Sequence, residues 1–403
     1  MQVVSRASIP RVAFVTGGLK LGGTTTFLCN LAGELIRRGI PCEVFSFEKE
    51  NPLASDFQRL NIPVQVWDER RFIFEERMNQ VLLRLAAFQP TTVMANLGPA
   101  SFEVLRYVPP GVLRVGLGQS DDGIVYDTIR LYAAHLDLVA VVSRTMKEKA
   151  LALPELARLP VYYLPYGVPL PDDNQVIRPD STRPLRLLYL GRLEQEQKRV
   201  RLFPKIFEHL CQSGMPFQWT IAGDGSEMLF LKEVMKTKLP HQKITFLGSV
   251  RYVDVPSVLR EHEVFLLASD YEGLPLSLLE AMGHGLVPVV SDLPSGISEV
   301  VDETTGIRIN PAKVEDYAAA IIHLQKNRAE LAAKSVAART RVQQEFSVTA
   351  MTDRWLSALP LSLGSPPVWP SRRRITAPLS AQNKLYFSPP LRFLRRLAAQ
   401  LRK

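Results

Sequence analysis

Short runs of uninterrupted apolar residues recur along the first part of the chain and alternate with longer segments of helical periodicity. Such a run is typical of a strand that is buried on both faces. Strands that alternate with helices predict a parallel sheet with helices on both sides. The strands predicted here cover residues 11–16, 42–47, 92–96, 112–117 and 138–142, and a helix over about 24–38 follows the first of them.

The same pattern begins again further along the chain, after a polar, proline-rich segment at 169–184 that is typical of a linker. The second set of predicted strands covers residues 184–190, 217–222, 244–247, 263–268 and 287–291. The sequence therefore predicts an α/β protein with two doubly wound, Rossmann-like domains facing a central cleft. Ligands in such folds bind at the carboxyl ends of the strands.

These patterns predict five consecutive parts. They are an N-terminal domain (1–168), the linker (169–184), a second domain (185–345), a further helical segment (346–360), and a basic, partly disordered tail (361–403).

The positive charge of the chain is concentrated in that tail. Residues 361–403 contain nine Lys and Arg residues and no Asp or Glu, so the rest of the chain is formally neutral, since the whole carries +9. Residues 1–360 lack the basic stripes with aromatics that nucleic-acid binding needs. The last segment of the tail predicts a short basic amphipathic helix suited to an anionic membrane surface. Its apolar face comprises Leu391, Leu394, Leu397, Ala398 and Leu401.

The chain shows no apolar stretch long enough to span a membrane, and its N-terminus lacks the apolar core of a signal peptide. The three cysteines, Cys29, Cys42 and Cys211, are widely spaced and match neither a disulfide framework nor a metal site. We expect a cytoplasmic protein with reduced cysteines.

The densest candidate chemistry lies at 269–300, where Glu272 and Glu280 are separated by seven residues. Gly273 permits a tight turn with close backbone approach, and Pro275 suits the first turn of a helix. The N-terminus of such a helix favours an anion. An anion site flanked by two carboxylates suits a ligand with a central phosphate and hydroxyls at both ends, as in a nucleotide sugar.

This segment resembles the E-x7-E signature of the family 4 retaining glycosyltransferases, which have the GT-B fold. The family pattern is also similar to Gly191-Arg192-Leu193 followed by Lys198, to Gly223-Asp224-Gly225, to Gly22-Gly23 after the first strand, and to Asn310-Pro311 before a helix. The resemblance spans roughly residues 11–358. It implies that the N-terminal domain (1–168) lies on the acceptor side, that residues 185–345 bind the nucleotide sugar, and that the helix at 346–360 returns to the N-terminal domain.

The resemblance implies a role for each matching residue. Arg192 and Lys198 would bind the diphosphate, and Glu280 the ribose hydroxyls. Glu272 would lie near the donor sugar, as a nucleophile or as an electrostatic partner. The remaining donor-binding candidates are Gly22, Gly23, Gln119, Val250, Gly273, Leu274 and Leu276. A turn without a further role is the alternative for Gly22-Gly23 and for Gly223-Asp224-Gly225. The resemblance implies no metal or other cofactor.

One position departs from the pattern. Many relatives carry a histidine in the N-terminal domain that faces the donor sugar, and Gln119 stands there in this sequence. Glutamine can hydrogen-bond a hydroxyl but does not titrate near neutrality. Asp121 or Asp122 is then a candidate to act on the acceptor hydroxyl, although such a pair also suits a solvated turn.

The sequence as a whole predicts a metal-independent, retaining hexosyltransferase in the assembly of a surface polysaccharide or glycolipid. Its partners would be a nucleotide sugar, a sugar or lipid-linked acceptor, and the inner face of the membrane. Two alternatives are a nucleotide-sugar epimerase on the same fold and a catalytically silent donor-binding protein. A dehydrogenase is disfavoured because the first loop lacks G-x-G-x-x-G.

Overall fold

The computed structural model describes residues 10–49, 51–67, 73–96, 98–172, 182–237, 243–359, 367–369 and 375–381. The chain divides into two compact units. The first comprises the chain up to residue 142, residues 146–164 and the chain from residue 352 onward, and the second comprises residues 143–145 and 165–351.

In the first unit, the described residues form a parallel sheet of seven strands in the order β3-β2-β1-β4-β5-β6-β7. Its central strands are buried along their whole length, which explains their apolar sequences. The strands are β1 (Val12–Thr16), β2 (Cys42–Ser46), β3 (Val64–Val66), β4 (Thr92–Asn96), β5 (Leu113–Gly118), β6 (Leu138–Val141) and β7 (Val161–Tyr163).

Helices connect these strands and cover the sheet. They are α1 (Gly23–Arg37), α2 (Ala54–Arg59), α3 (Phe74–Phe88), α4 (Pro99–Leu105), α5 (Gly123–Tyr132) and α6 (Arg144–Leu151).

In the second unit, the described residues form a parallel sheet of six strands in the order β10-β9-β8-β11-β12-β13. The strands are β8 (Leu185–Leu190), β9 (Phe217–Ala222), β10 (Ile244–Gly248), β11 (Val264–Leu267), β12 (Val287–Ser291) and β13 (Ile307–Ile309). The helices are α7 (Gln195–Lys198), α8 (Phe203–Gln212), α9 (Met228–Thr237), α10 (Val255–Leu259), α11 (Leu276–Gly283), α12 (Gly296–Val300), α13 (Val314–Lys326), α14 (Arg328–Glu345) and α15 (Val348–Ala358).

The chain passes from the second unit to the first within α15. In the first unit Trp355 is buried against Phe27, with ring centroids 6.2 Å apart, and Asp353 accepts a 2.5 Å hydrogen bond from Arg38. The part of α15 from residue 352 onward therefore belongs to the first unit.

Residues 375–381, which we name the strap, also dock on the first unit. The backbone N–H of Leu379 donates to Glu103 Oε2 at 3.1 Å. Thr376 contacts the hydroxyl of Tyr107 and the guanidinium of Arg106. Glu103 is fully buried, and it also accepts hydrogen bonds from Arg106 and from the Tyr132 hydroxyl.

The predicted fold class is confirmed, since both sheets are parallel and flanked by helices. One detail differs from prediction, because the helix after Glu272 begins at Leu276, so Pro275 precedes its first turn. The partial disorder of the tail stays a prediction. The predicted amphipathic helix and most of the linker lie outside the described residues. The predicted domain limits stay a prediction.

Candidate functional site

Four neighbouring strands of the second sheet end beside the sequence-predicted residues. Because β10, β9, β8 and β11 are parallel and adjacent, their carboxyl ends lie along one edge of the sheet. Val250 follows β10, Gly223 follows β9, Arg192 follows β8 and Glu272 follows β11. The topology thus brings residues that lie up to 80 positions apart in sequence to one edge of the sheet. Parallel folds bind their ligands at this edge.

Glu272 and Lys198 form a buried ion pair at this edge. Lys198 Nζ lies 2.5 Å from Glu272 Oε1, and the exposed fractions of the two side chains are 12% and 6%. The hydroxyl of Ser269 donates to the same oxygen at 2.7 Å. Two donors therefore fix the position of this carboxylate, and one of them, Lys198, is a cation.

Arg192 is tied to the same segment through Gln197. One guanidinium nitrogen of Arg192 donates to Gln197 Oε1 at 2.8 Å, and another pairs with Glu194 at 3.0 Å. The side-chain N–H of Gln197 donates to the Tyr271 carbonyl at 3.2 Å, and the backbone carbonyl of Gln197 accepts from Asp270 N at 2.9 Å. Sequence reasoning missed Gln197 because a lone glutamine on a short helix carries no motif signal.

The turn before α11 is held by a second glycine that the sequence did not single out. Gly296 N donates to the Gly273 carbonyl at 2.7 Å, and a Cβ at Gly296 would lie 2.6 Å from that oxygen. Gly273, Leu274 and Leu276 are buried beside it. Only glycine at 296 permits this approach.

Glu280 lies one turn into α11 and is half-buried. Burial raises the pKa of its carboxyl to about 8, because a low-dielectric environment disfavours the charged form. The two glutamates of the pair thus have different environments. Glu272 is held by a lysine, whereas burial favours the protonated form of Glu280.

The Gly223-Asp224-Gly225 turn packs directly on the loop that carries Arg192. A Cβ at Gly223 would lie 1.8 Å from the Gly191 carbonyl oxygen, and Gly223 has φ +140°. The Asp224 carbonyl accepts from Leu193 N at 2.9 Å, and Gly223 N donates to the Gly248 carbonyl at 2.7 Å. The glycines of this turn are therefore required for its contact with the loop that carries Arg192.

In the first unit, the candidates lie at the carboxyl ends of β1 and β5. Gly22 precedes α1 with φ +149°, a conformation that favours glycine, and Gly23 is the first residue of that helix. Gln119 follows β5 and is 7% exposed. It lines a cavity of about 180 Å³ beside Thr24, Asn96, Phe102 and Leu117.

Asp121 and Asp122 both have structural partners. Asp121 accepts a 2.7 Å hydrogen bond from the Tyr126 hydroxyl and pairs with Lys149 at 2.6 Å. Asp122 caps α5 by accepting from Val125 N at 3.0 Å. Burial, then the hydrogen bond to Asp121, raises the pKa of Tyr126. These contacts favour the structural alternative, and the catalytic role of Asp121 stays a prediction.

In the described ranges, no three His, Cys, Asp or Glu side chains come together as a metal site. Within the same ranges, no helix is long and apolar enough to cross a membrane.

Residues 184–327 match the family model described as Glycosyl transferases group 1. Over 228 residues the chain is 29% identical to the amylovoran biosynthesis glycosyltransferase AmsK of Erwinia amylovora, a match that covers 55% of each chain. Over 143 residues it is 30% identical to the lipopolysaccharide 1,6-galactosyltransferase of Salmonella typhimurium, covering 34% of this chain and 39% of that protein. The matches span about half or less of these relatives.

Solved structures resemble nearly the whole chain. TarM from S. aureus, in complex with Fondaparinux, alpha-GlcNAc-glycerol and UDP, has a TM-score of 0.71 at 13% identity, covering 86% of this chain and 99% of that one. HepE from Anabaena, in complex with UDP-glucose, has a TM-score of 0.70 at 17% identity, covering 87% and 100%. At these identities the likeness concerns the fold.

Proposed function

Because residues 184–327 match the family model described as Glycosyl transferases group 1, we propose that the protein transfers a sugar from a nucleoside-diphosphate sugar to an acceptor hydroxyl. The observation that carries this proposal is the arrangement of Arg192, Lys198 and Glu272 at adjacent strand ends. It places two cations and a carboxylate at the edge where such folds bind their ligands.

In the proposed reaction, the acceptor oxygen bonds to the anomeric carbon while the bond from that carbon to the diphosphate breaks. The bonding electrons leave with the diphosphate, whose negative charge Lys198 and Arg192 would stabilise. Backbone N–H groups at the start of α11 would add to this potential. Because protein groups supply this positive potential, we propose that the reaction needs no metal ion.

We further propose that the reaction retains anomeric configuration, with Glu272 as an electrostatic partner rather than a nucleophile. Glu272 Oε1 already accepts hydrogen bonds from Lys198 and Ser269, and both donors reduce the nucleophilicity of that oxygen. The proton of the acceptor hydroxyl would pass to an oxygen of the departing diphosphate. Mass spectrometry of the enzyme during turnover then detects no glycosyl adduct on Glu272, whereas such an adduct refutes this role.

The decisive experiment is calorimetric titration of wild type and Glu280→Ala with UDP, GDP, ADP and TDP, each alone and as its common sugar conjugates. We expect tight binding of one nucleotide, weakened at least tenfold, or about 1.4 kcal/mol, in the variant. Absence of binding to the folded wild type would refute the proposal. Binding without turnover in the presence of acceptor would favour the silent donor-binding alternative, which the glutamine at position 119 motivates.

We propose the assembly of a surface polysaccharide or glycolipid as the setting, at the cytoplasmic face of the inner membrane. Two relatives support the biosynthetic setting, since one acts in amylovoran biosynthesis and the other on lipopolysaccharide. The basic tail supports the membrane location, because nine cations without an acidic residue are attracted to anionic lipids. No comparison supports the epimerase alternative.

The membrane proposal is tested by vesicle co-sedimentation of the full chain, with vesicles of phosphatidylglycerol and phosphatidylcholine. The variant Arg392→Gln/Arg395→Gln/Arg396→Gln/Arg402→Gln keeps the apolar residues and should lose binding. A control that neutralises four arginines of the first unit (Arg37, Arg59, Arg130 and Arg158) removes the same charge and should bind as wild type. Equal sedimentation of all three proteins would refute a role for the tail.

A further inference from the structure

Gln197 joins the loop that follows β8 to the loop that follows β11. Its side-chain carbonyl accepts from a guanidinium nitrogen of Arg192 at 2.8 Å, and its side-chain N–H donates to the Tyr271 carbonyl at 3.2 Å. Because Gln197 is only 9% exposed, little water competes for these hydrogen bonds. The amide of Gln197 therefore ties the side chain of Arg192 to the segment that carries Glu272.

Three consecutive residues at the end of α7 contact the segment that follows β11. The backbone carbonyl of Gln197 accepts from Asp270 N at 2.9 Å. The next residue, Lys198, pairs with Glu272 at 2.5 Å, and the residue after it, Arg199, pairs with Asp270 at 3.2 Å. These contacts fix the position of Gln197 itself, and a side chain that is fixed in this way can hold another group in one orientation.

Arg192 has a second partner, Glu194, whose effect on an anionic ligand is the opposite. Another guanidinium nitrogen of Arg192 pairs with Glu194 at 3.0 Å, and the side chains of Arg192 and Glu194 are 56% and 33% exposed. The carboxylate offsets the charge of the guanidinium, so it competes with an anion for that charge. The amide of Gln197 carries no charge, and it holds the guanidinium without this competition.

We propose that Gln197 is a positioning residue that orients Arg192 for a diphosphate, and that Glu194 competes with this anion for Arg192. Arginine binds phosphate oxygens through a planar fork of N–H donors, so the direction of the guanidinium determines how many hydrogen bonds it makes. Holding the side chain in place beforehand also reduces the entropy that binding costs. This inference rests on the proposed function for the nucleotide sugar as the source of the diphosphate, but inorganic pyrophosphate tests it without a nucleotide.

The test is calorimetric titration of the full chain with inorganic pyrophosphate. Gln197→Met keeps the length of the side chain and removes both of its hydrogen bonds. It should weaken pyrophosphate binding about threefold to tenfold, which is the net effect of one hydrogen bond. Gln195→Met is the matched control, because Gln195 lies on the same short helix and its side chain accepts from Arg201 N at 3.1 Å. This control should bind pyrophosphate as wild type does.

A double-mutant cycle shows whether Gln197 acts through Arg192. Arg192→Met should weaken pyrophosphate binding more than Gln197→Met does, and the double variant should bind no more weakly than Arg192→Met alone. A general structural role of Gln197 would weaken binding in both backgrounds, so additive losses would overturn the proposal. Equal affinity of Gln197→Met and wild type would overturn it as well. Glu194→Gln should raise the affinity for pyrophosphate, and an unchanged or lower affinity would refute the competition.

Titration of the same proteins with UDP, GDP, ADP and TDP separates this inference from the proposed transfer. If wild type binds one of these nucleotides, the cycle is repeated with it, and equal affinity of wild type and Gln197→Met refutes only the role of Gln197. Pyrophosphate binding that depends on Gln197, without binding of any nucleotide, refutes only the transfer function. Binding of neither pyrophosphate nor a nucleotide by the folded wild type refutes both.

Discussion

Lys198 Nζ and Glu272 Oε1 lie 2.5 Å apart although the two residues are 74 positions apart in sequence, and their side chains are only 12% and 6% exposed. Removing one partner of a buried pair leaves an uncompensated charge, which costs about 3–5 kcal/mol. We therefore expect Lys198→Met to lower the free energy of unfolding by about that amount, as measured by urea denaturation. Adding Glu272→Gln should restore part of the loss.

The matched control is Lys205→Met. Lys205 pairs with Glu315, but both side chains are about half exposed, and surface pairs contribute about 0–1 kcal/mol. If the two lysine variants lose equal stability, or if the double variant loses the sum of the single losses, the buried pair is not a coupled unit.

Glu280 should make nucleotide binding release a proton. Since burial raises its pKa to about 8, the free protein carries it largely protonated at pH 7, whereas ribose hydroxyls donate best to a carboxylate. Calorimetry in buffers of different ionisation enthalpy should show the release of close to one proton at pH 7. Glu280→Gln should abolish this release, and equal proton release in both proteins would contradict the assignment.

The raised pKa of Glu280 also makes the stability of the fold depend on pH. Between the ordinary pKa of 4.5 and the folded value of about 8, the carboxyl is ionised in the unfolded chain and protonated in the folded one. Its contribution to stability is therefore complete below pH 4.5 and is lost as the pH rises through 8. Relative to wild type, Glu280→Gln should be more stable at pH 9 than at pH 5, as measured by urea denaturation at both values. If the difference in stability between the two proteins is the same at both pH values, the fold does not raise the pKa of Glu280.

Gly223 should tolerate no side chain. A Cβ there would lie 1.8 Å from the Gly191 carbonyl oxygen, so Gly223→Ala must separate the two loops. We expect Gly223→Ala to lower the free energy of unfolding by more than about 4 kcal/mol, a size that single substitutions rarely reach. Gly214→Ala is the control, because Gly214 also has positive φ (+70°) but has no atom within 4 Å of the added methyl. Gly214→Ala should lower the free energy of unfolding by about 1–3 kcal/mol. Similar losses in Gly214→Ala and Gly223→Ala would exclude the steric explanation.

The strap should protect α4 from opening. Leu379 N donates to the fully buried Glu103, and a buried acceptor that loses a donor costs about 1–3 kcal/mol. A chain that ends at residue 374 should therefore show faster amide hydrogen exchange in residues 99–105 than a chain that ends at 381. The chain ending at 381 lacks the last basic residues but retains the strap, and equal exchange in the two would contradict the role given to Glu103.

The strand framework was predictable because long buried strands have uninterrupted apolar sequences. Predicted residues 92–96 and 217–222 coincide with β4 and β9. The sequence analysis missed three strands, β3, β7 and β13, which have three residues each. A strand of this length is too short to show a recognisable pattern of apolar and polar residues. The family model of group 1 glycosyl transferases matches residues 184–327, the range that contains Glu272, Glu280 and the Gly223-Asp224-Gly225 turn.

The site was predictable as a set of residues but not as a set of contacts. Lys198 and Glu272 were both identified, yet their bond depends on the pairing of β8 with β11, which no local pattern encodes. Gln197 and Gly296 carry no motif of their own.

The burial of Trp355 against Phe27 also determines the order of events during synthesis. The ribosome completes the whole second unit before it makes the residues that finish the first one. Until Trp355 emerges, the apolar surface around Phe27 stays uncovered, although its own sheet was translated long before. The N-terminal half of this protein is thus made first and completed last, and chaperones that bind exposed apolar surface have this interval in which to act.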